Sequence, residues 1–284
     1  MTDAATLIGL QVGDQLGHLE YVVNEVTQAG YRAFVGSGGY FPNLLADDCR
    51  ALLLQRCGPL PLTTSRRRLE FLRPPIPGRR VQVVGWLRET SGLDTMPRLR
   101  VAAFAVDEIG TEIMRSEAVF SVRERPKSAL AGSGSLTNQP VNSGKSPAEY
   151  DGLAGVGVGD TLRLGTLVLP GGNTLTRGQQ LGNELAGLDL NDGGNDLSPL
   201  VVGWLEAGIG RWFGDDFRWG GQMSLRLRRP LNIGEVITGE ALVTWRNVEA
   251  GAVDWQLRIN VYNQLNRPAI LGDVTVTTPS ARRL

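Results

Sequence analysis

The chain has 284 residues, enough to bury a sizeable core, and this length fits one large domain or two of ordinary size. Its 29 lysines and arginines equal its 29 aspartates and glutamates, so no broad basic field favours a nucleic acid or an anionic membrane as partner. The N-terminus lacks the pattern of a targeting segment, and no run of about 18 apolar residues occurs, so we expect a cytoplasmic protein without membrane contact.

A repeat organises the chain. Residues 8–23 and 154–169 share a turn followed by an alternating strand, with Val-Gly-Asp in register at an offset of 146 residues. An Arg-Pro pair at 73–74 matches another at 229–230, and there the offset is 156 residues. The pattern predicts two similar halves, each with an initial strand, a loop, a helix and then several strands.

The later part of each half contains alternating segments. They read RRRLEFLRP, RVQVVGWLRE, RLRVAAFAVDE and EAVFSV in the first half, then MSLRLRRP, VITGEALVTW, DWQLRINVYN and DVTVTT in the second. Turn-rich gaps separate these segments, which favours antiparallel pairing. We therefore expect an α+β fold in which each half wraps an antiparallel sheet around one apolar helix. Edge-to-edge pairing of the two sheets would remove two exposed edge strands.

Residues 126–150 are rich in serine, glycine, proline and asparagine and contain few large apolar side chains. This composition is typical of a linker. It divides the chain into an N-terminal unit over 1–125 and a C-terminal unit over 151–284. The two repeat offsets differ by ten residues, and this extra chain falls around residues 183–196, where it either shapes a pocket or forms a tolerated surface excursion.

The second half contains the longest apolar segment, predicted as a helix over 198–213, and the matching helix of the first half is expected near 42–57. Asp196 lies in the loop before the helix, and Pro199 occupies an early helical position, where its missing N–H does no harm. The free N–H groups and dipole at such a helix start would stabilise a carbonyl oxygen that gains negative charge.

Cys49 and Cys57 are eight residues apart on one predicted helix, about 12 Å, which is too far for a disulfide. The only histidine, His18, lies in an alternating strand segment. A zinc site would therefore need carboxylates for most of its ligands. We expect no disulfide, no metal site and no cofactor.

Three further stretches carry a resemblance to a known family: WFGDDF at 212–217, LRRPLNIGE at 227–235 and VYNQLNRPAILGDVTVTTP at 261–279. Together with the Val-Gly-Asp turns, they resemble the double-hotdog proteins of the MaoC-like hydratase and dehydratase family over nearly the whole chain. The resemblance implies two hotdog units side by side. It also implies an acyl thioester, on coenzyme A or an acyl carrier protein, bound between a helix start and a sheet, and reversible addition of water to a 2-enoyl thioester.

The family motif reads Asp-x-Asn-Pro-x-His, in which the acid and the imidazole both reach one water and the C2 proton. It falls on the six residues from 196 to 201, with Asp196 as the acid and Pro199 as the proline. Ser198 replaces the asparagine, and Val201 replaces the histidine. In the first half, Tyr40 takes the register position of the acid. The resemblance thus implies Asp196 as the catalytic residue and a substrate-binding set of Ser198, Pro199, Leu200, Val201, Tyr40 and Asp192.

A valine cannot carry a proton, so three hypotheses stay open. The first is a hotdog enzyme that has diverged towards isomerase or cyclase chemistry, which needs one well-placed acid; Asp189, Asp192 or Glu206 would replace the histidine if a second group is used. The second is a non-catalytic module that binds an acyl chain or a partner subunit, and a homodimer is one such arrangement. The third is a hotdog thioesterase that uses Asp47 or Asp48 at the first helix, although paired acids there are usually dipole complements.

Overall fold

The computed structural model describes residues 9–22, 48–58, 60, 62–73, 76, 78–92, 97–122, 152–169, 198–232 and 234–279. Within them, ten strands, two longer helices and one short helix follow the order of the two predicted halves. The predicted linker lies outside the described residues, as does the extra chain around 183–196, so the unit boundaries at 125 and 151 stay predictions.

The first half contains strand β1, helix α1 and strands β2 to β5: Gln15–Val22, Asp48–Cys57, Leu62–Phe71, Arg80–Ser91, Arg98–Asp107 and Glu112–Val122. The second half begins with a 3₁₀ turn, strand β6, helix α2 and the short helix α3: Gly152–Gly155, Thr161–Val168, Ser198–Phe213 and Asp215–Arg218. Strands β7 to β10 complete it: Gln222–Leu227, Val236–Glu249, Ala252–Asn263 and Pro268–Pro279. Residues 42–47, where the first helix was expected to begin, lie outside the described residues.

All ten strands form one antiparallel sheet in the order β1-β3-β4-β5-β2-β7-β10-β9-β8-β6. The halves join through β2 and β7, whose central pair is Arg68 and Ser224. The predicted edge-to-edge joining is therefore confirmed, and β1 and β6 are left at opposite edges of the sheet.

The repeat is visible in single hydrogen bonds. The Gly13 amide donates to the carbonyl of Leu87 at 2.8 Å, and the Gly159 amide donates to the carbonyl of Val243 at 2.9 Å. The glycines differ by 146 positions and their acceptors by 156, so both sequence offsets describe one conserved contact in each half. Each Val-Gly-Asp turn thus anchors the start of the first strand in its half to the β3 or β8 strand.

The hairpins before β5 and β10 repeat in the same way. Asp107 accepts hydrogen bonds from the amides of Ile109 and Thr111 through Oδ1. Oδ1 of Asn263 accepts from the amides two and four residues further on. An aspartate and an asparagine can stabilise the same turn, because the turn requires only a side-chain oxygen that accepts hydrogen bonds from backbone amides.

Both helices and α3 pack on one face of the sheet. The ring of Phe71 on β2 contacts Phe217 on α3 with centroids 5.1 Å apart, and Phe213 on α2 contacts Trp255 on β9 edge-on at 5.7 Å. Side chains that alternate with this buried set point to the other face. Helix α1 departs from the expectation of an all-apolar helix, because Gln55 and Arg56 on it are exposed.

Candidate functional site

Helix α2 is the element on which the predicted site depends, and its bounds, Ser198–Phe213, match the prediction. Nine of its hydrophobic residues are buried: Leu200, Val201, Val202, Trp204, Leu205, Ala207, Ile209, Trp212 and Phe213. A helix with so little exposed surface is held by packing on several sides. Its first N–H groups have no acceptor within the helix itself, as at every helix start.

Close contacts with strands β6 and β8 hold α2 against the sheet. A Cβ atom on Gly208 would lie 2.9 Å from the carbonyl oxygen of Leu164, so the helix backbone lies almost directly on β6. A Cβ on Gly239 of β8 would lie 2.8 Å from the ring of Trp204. At the other end of the helix, Trp212 donates from Nε1 to the carbonyl of Arg163 at 3.1 Å. These contacts fix the position of the helix along its second half.

Four of the predicted site residues lie in the first turn of the helix: Ser198, Pro199, Leu200 and Val201. Ser198 and Pro199 occupy the first two helical positions, where proline was expected. Asp196, Asp192 and Tyr40 lie outside the described residues, as do Asp189 and Asp47. The roles assigned to these residues therefore stay predictions.

Val201 occupies the position of the family histidine, and its side chain is completely buried, with 0% of its surface exposed. It belongs to the hydrophobic core together with Leu200, which is 1% exposed. A buried hydrocarbon side chain at this point can position an acyl group but cannot move a proton.

His18 cannot replace the missing imidazole. It is exposed on β1, the strand at one edge of the sheet, whereas α2 lies on β6 and β8 at the opposite edge. Nine strand-to-strand steps of about 4.8 Å separate β1 from β6, on the order of 40 Å along the sheet. The structural position that the sequence analysis assigned to His18, in a strand, is confirmed.

Glu206, one of the acids considered as a substitute for the histidine, lies eight residues beyond Ser198, about 12 Å further along the helix. Its side chain is 0% exposed, and its Oε1 lies 3.6 Å from Nε of Arg218 on α3. Nη1 of Arg218 also donates to Asp215 at 3.0 Å. Glu206 therefore belongs to the contact between α2 and α3, two turns away from the helix start.

Helix α1 takes the equivalent place in the first half. Cys49, Leu52 and Leu53 on it are fully buried, and a Cβ on Gly85 of β3 would lie 2.6 Å from Leu52. Sγ of Cys49 lies 3.4 Å from Oγ of Ser116. Asp48, one of the two acids of the thioesterase hypothesis, is the first residue of this helix, and the role assigned to it stays a prediction.

The cysteines and the carboxylates form no recognisable metal site in the described part of the chain, where no three histidine, cysteine, aspartate or glutamate side chains cluster. Cys49 and Cys57 are both free thiols. Burial raises the pKa of the Cys57 thiol, and the nearby Arg56 opposes this only partly. No helix among the described residues combines the length and apolar character needed to cross a bilayer.

The sequence analysis missed a basic groove on the sheet face opposite the helices. We call it the arginine groove; the exposed arginines that line it are Arg66, Arg68, Arg98, Arg100 and Arg226. The signal is present in the arginines of RRR at 66–68 and SLRLRR at 224–229, which the sequence analysis interprets only as parts of strands.

A continuous antiparallel sheet of ten strands, with one long helix of each half on the same face, defines a double hotdog. The structure is similar to a MaoC domain dehydratase protein from Chloroflexus aurantiacus, with a TM-score of 0.63 and 12% identity over 95% of this chain and 96% of that one. It is similar to a double-hotdog protein from Mycobacterium tuberculosis, with a TM-score of 0.64 and 13% identity over 95% and 97% of the two chains.

A third similar structure is a MaoC-like dehydratase, with a TM-score of 0.58 and 14% identity over 93% of this chain and 98% of that one. These matches confirm the double-hotdog fold and the structural resemblance to MaoC-like dehydratases. No family model matches the sequence, and no curated protein matches it either.

Proposed function

We propose that the protein acts on an acyl thioester at the N-terminal end of α2, with Asp196 as its single proton-transfer group. The carrier would be coenzyme A or an acyl carrier protein. Either fits the proposal, because only the thioester group would contact the start of the helix. The observation that carries the proposal is the complete burial of Val201, combined with the remoteness of His18. Together they leave the loop acid without an imidazole partner.

One acid suits some reactions better than others. Hydration of a double bond must both deliver a water to one carbon and move a proton at its neighbour, which the family assigns to an acid and a histidine. An isomerisation needs only that Asp196 removes a proton from one carbon of the acyl chain and returns it to another. The N–H groups at the start of α2 would stabilise the enolate oxygen that forms between the two transfers.

The remaining predicted residues have roles in this scheme. Ser198 and Pro199 would place the first free N–H groups against the thioester carbonyl, and Leu200 and Val201 would form the apolar wall beside the acyl chain. Tyr40 and Asp192 would border the site from the two loops. The similarity in fold to MaoC-like dehydratases supports an acyl thioester as the substrate class.

A second candidate function is a non-catalytic module that holds an acyl thioester. The specific observation in its favour is again the buried Val201. A hydrocarbon side chain in the place of the histidine would bind an acyl chain well in a protein that catalyses no proton transfer. The two candidates differ at Asp196, since a binding module has no need of its ionised side chain.

The experiment is a panel of saturated, 2-enoyl and 3-enoyl thioesters assayed with the wild type, Asp196→Asn and Asp192→Asn. If Asp196 transfers the proton, Asp196→Asn should lower turnover about a hundredfold or more with little change in affinity, while Asp192→Asn stays within a few fold. Asparagine caps a helix about as well as aspartate, so stability should not change. Equal turnover of Asp196→Asn and wild type would contradict the assignment. Binding of the panel without turnover, unaffected by Asp196→Asn, would identify the binding module.

The variant Val201→His tests the position from the other side. It places an imidazole where the family has one, and a gain of enoyl-thioester hydration would support the assignment of Asp196. Because Val201 is completely buried, the variant should lose about 1–3 kcal/mol of stability through its new polar group and volume. Val201→Met, which enlarges the side chain without an imidazole, is the matched control.

A further inference from the structure

The two halves meet at a pair of arginines of like charge. On β2 and β7, Arg66 lies directly opposite Arg226, and Arg68 lies opposite Ser224. Their side chains are exposed, whereas the alternating Leu69 and Phe71 are buried on the face that carries α3. The arginines therefore lie on the face opposite the helices, and the facing pair destabilises the sheet unless an anion lies between them.

Two carboxylates, Glu89 and Glu117, line the same groove and are already engaged by Arg100. Glu117 accepts a hydrogen bond from Nε of Arg100 at 2.8 Å, and Glu89 lies 3.5 Å from Nη1 of the same arginine. The Glu117 hydrogen bond is the main cause of the raised pKa of Arg100. No carboxylate of the described residues lies within 4.0 Å of the four other groove arginines: Arg66, Arg68, Arg98 and Arg226.

The register places three of these side chains in one line. Arg100 pairs with Val119, Val119 pairs with Arg66, and Arg66 pairs with Arg226, so the line crosses four adjacent strands. At about 4.8 Å per strand, it is about 14 Å long. Val119, the only apolar member, forms the floor between two guanidinium groups.

A β-bulge shapes the groove at this point. The pairing of β2 with β5 shifts between Thr64 and Arg66, so Ser65 is an extra residue in its strand. Its hydroxyl donates to the carbonyl of Val119 at 3.1 Å, which holds the bulge in place. Bulges commonly redirect side chains beside binding sites.

The resulting cavity has a volume of about 560 Å³. This volume lies within the range of small-molecule sites, about 300–1,000 Å³. Ser91 and Ser224 join the arginines in its lining and add hydroxyl groups that can donate hydrogen bonds. An acyl chain would find little apolar surface here, so the groove suits a different ligand from the one proposed at the start of α2.

We propose that the arginine groove binds a small ligand with two or more phosphate groups. Guanidinium groups donate paired N–H groups that match phosphate oxygens. Four of them, with no carboxylate of the described part of the chain within 4.0 Å, favour a ligand with several negative charges. A nucleic acid is a poor match because the basic line is only about 14 Å long. Beyond Arg226 the line reaches Leu271 on β10, and the exposed acid Asp273 lies in the next row of the same strand. The site does not depend on the function proposed for Asp196.

The test uses the full chain with two probes, inorganic tripolyphosphate and a nucleoside triphosphate, so that the phosphate groups and a nucleotide base can be distinguished as the source of affinity. Calorimetric titration at low salt should give a saturable isotherm with one site. A hundredfold excess of ligand over Kd should raise the Tm by about 3–6 °C. Citrate and a short polyglutamate peptide serve as anions of other chemistry.

The critical variant is Arg66→Gln with Arg226→Gln. It should weaken tripolyphosphate binding at least about tenfold, because two charge-assisted contacts are lost. Without ligand its Tm should equal or exceed that of the wild type, since the facing like charges are gone. The matched control is Arg115→Gln on the same face, whose guanidinium already has Glu112 at 2.6 Å and Glu70 at 3.7 Å; binding should stay within about twofold.

Several results would overturn the proposal. They are the absence of any tripolyphosphate isotherm with the wild type, unchanged binding in the double variant, an equal loss in Arg115→Gln, and tighter binding of polyglutamate than of tripolyphosphate. Equal affinities for the two phosphate probes would place recognition in the phosphate groups. Tighter binding of the nucleotide would extend it to the base.

Discussion

Arg229 and Glu235 form a largely buried ion pair at the turn before β8, with Nη2 2.7 Å from Oε1 and Nη1 3.1 Å from Oε2. The amide of Asn232 and the side chain of Asn263 also donate to this carboxylate, both at 3.1 Å. Glu235 thus connects the turn to β9 across a site where only 7% of its surface is exposed.

Glu235→Ala should therefore lower the free energy of unfolding by about 2–4 kcal/mol, because it leaves the Arg229 guanidinium and two N–H donors without their acceptor. Urea denaturation measures the loss. In the first half, Arg79 occupies the position that Glu235 has in the second half, at the offset of 156 residues. Arg79 pairs with Glu108 at 3.4 Å, and both side chains are exposed. Arg79→Ala should lose less than about 1 kcal/mol, and equal losses in the two variants would contradict the argument.

Gly208 and Gly210 on α2 provide a matched pair for the contact with β6. Alanine favours a helix over glycine by about 1 kcal/mol at either position. At Gly208 the new Cβ would lie 2.9 Å from the backbone oxygen of Leu164, which cannot easily shift, so Gly208→Ala should lose about 1–3 kcal/mol. At Gly210 the nearest atom is a flexible Arg218 nitrogen at 3.5 Å, so Gly210→Ala should gain up to about 1 kcal/mol. Thermal unfolding of the two variants should show opposite signs.

Glu206 and Arg218 should behave as one structural unit. Arg218→Ala should lose about 2–4 kcal/mol because it removes the cation beside a fully buried carboxylate. The double variant Glu206→Leu with Arg218→Met should lose less than the sum of the single changes, which a double-mutant cycle in urea measures. Glu206→Gln should leave thioester turnover unchanged, and a large fall in turnover would restore Glu206 as a catalytic candidate.

The two thiols should report local opening of α1. Cys49 is 0% exposed in the middle of the packed face, and Cys57 is 8% exposed at the last helical position. Because its pKa is raised, Cys57 has little thiolate near pH 8, and it should react with a disulfide reagent far more slowly than a free thiol does. Cys49 should react more slowly still. Stopped-flow labelling of Cys49→Ala and Cys57→Ala separates the two rates, and faster labelling of Cys49 would contradict the order.

Local signals in the sequence predicted the helix at the candidate site accurately. Pro199 and the apolar residues at spacings of three and four are enough to define Ser198–Phe213, because helix periodicity is read within one segment. The repeat was equally readable, since Val-Gly-Asp and Arg-Pro recur in order. Both features depend only on residues that are close in sequence.

The arginine groove could not be predicted from such local signals. Arg66 and Arg226 are 160 positions apart, and they face each other only in the register that β2 and β7 adopt. A shift of one residue would turn every side chain of one strand to the other face. The hydrophobic pattern predicted that each strand exists, while the partner of each side chain is decided by how the halves join.

The pairing of Arg68 with Ser224 at the centre of the β2–β7 junction explains why the two ends of this junction can differ in charge. Arg68 and Ser224 are equivalent in the two halves, so the local two-fold axis passes between them. This axis relates the Arg66–Arg226 pair at one end of the junction to the Glu70–Gln222 pair at the other end. In a symmetric assembly of two identical chains, both ends would have to carry the same residues. A single chain that contains both halves is free to be cationic at one end and uncharged or acidic at the other, and so to give a ligand only one direction of approach.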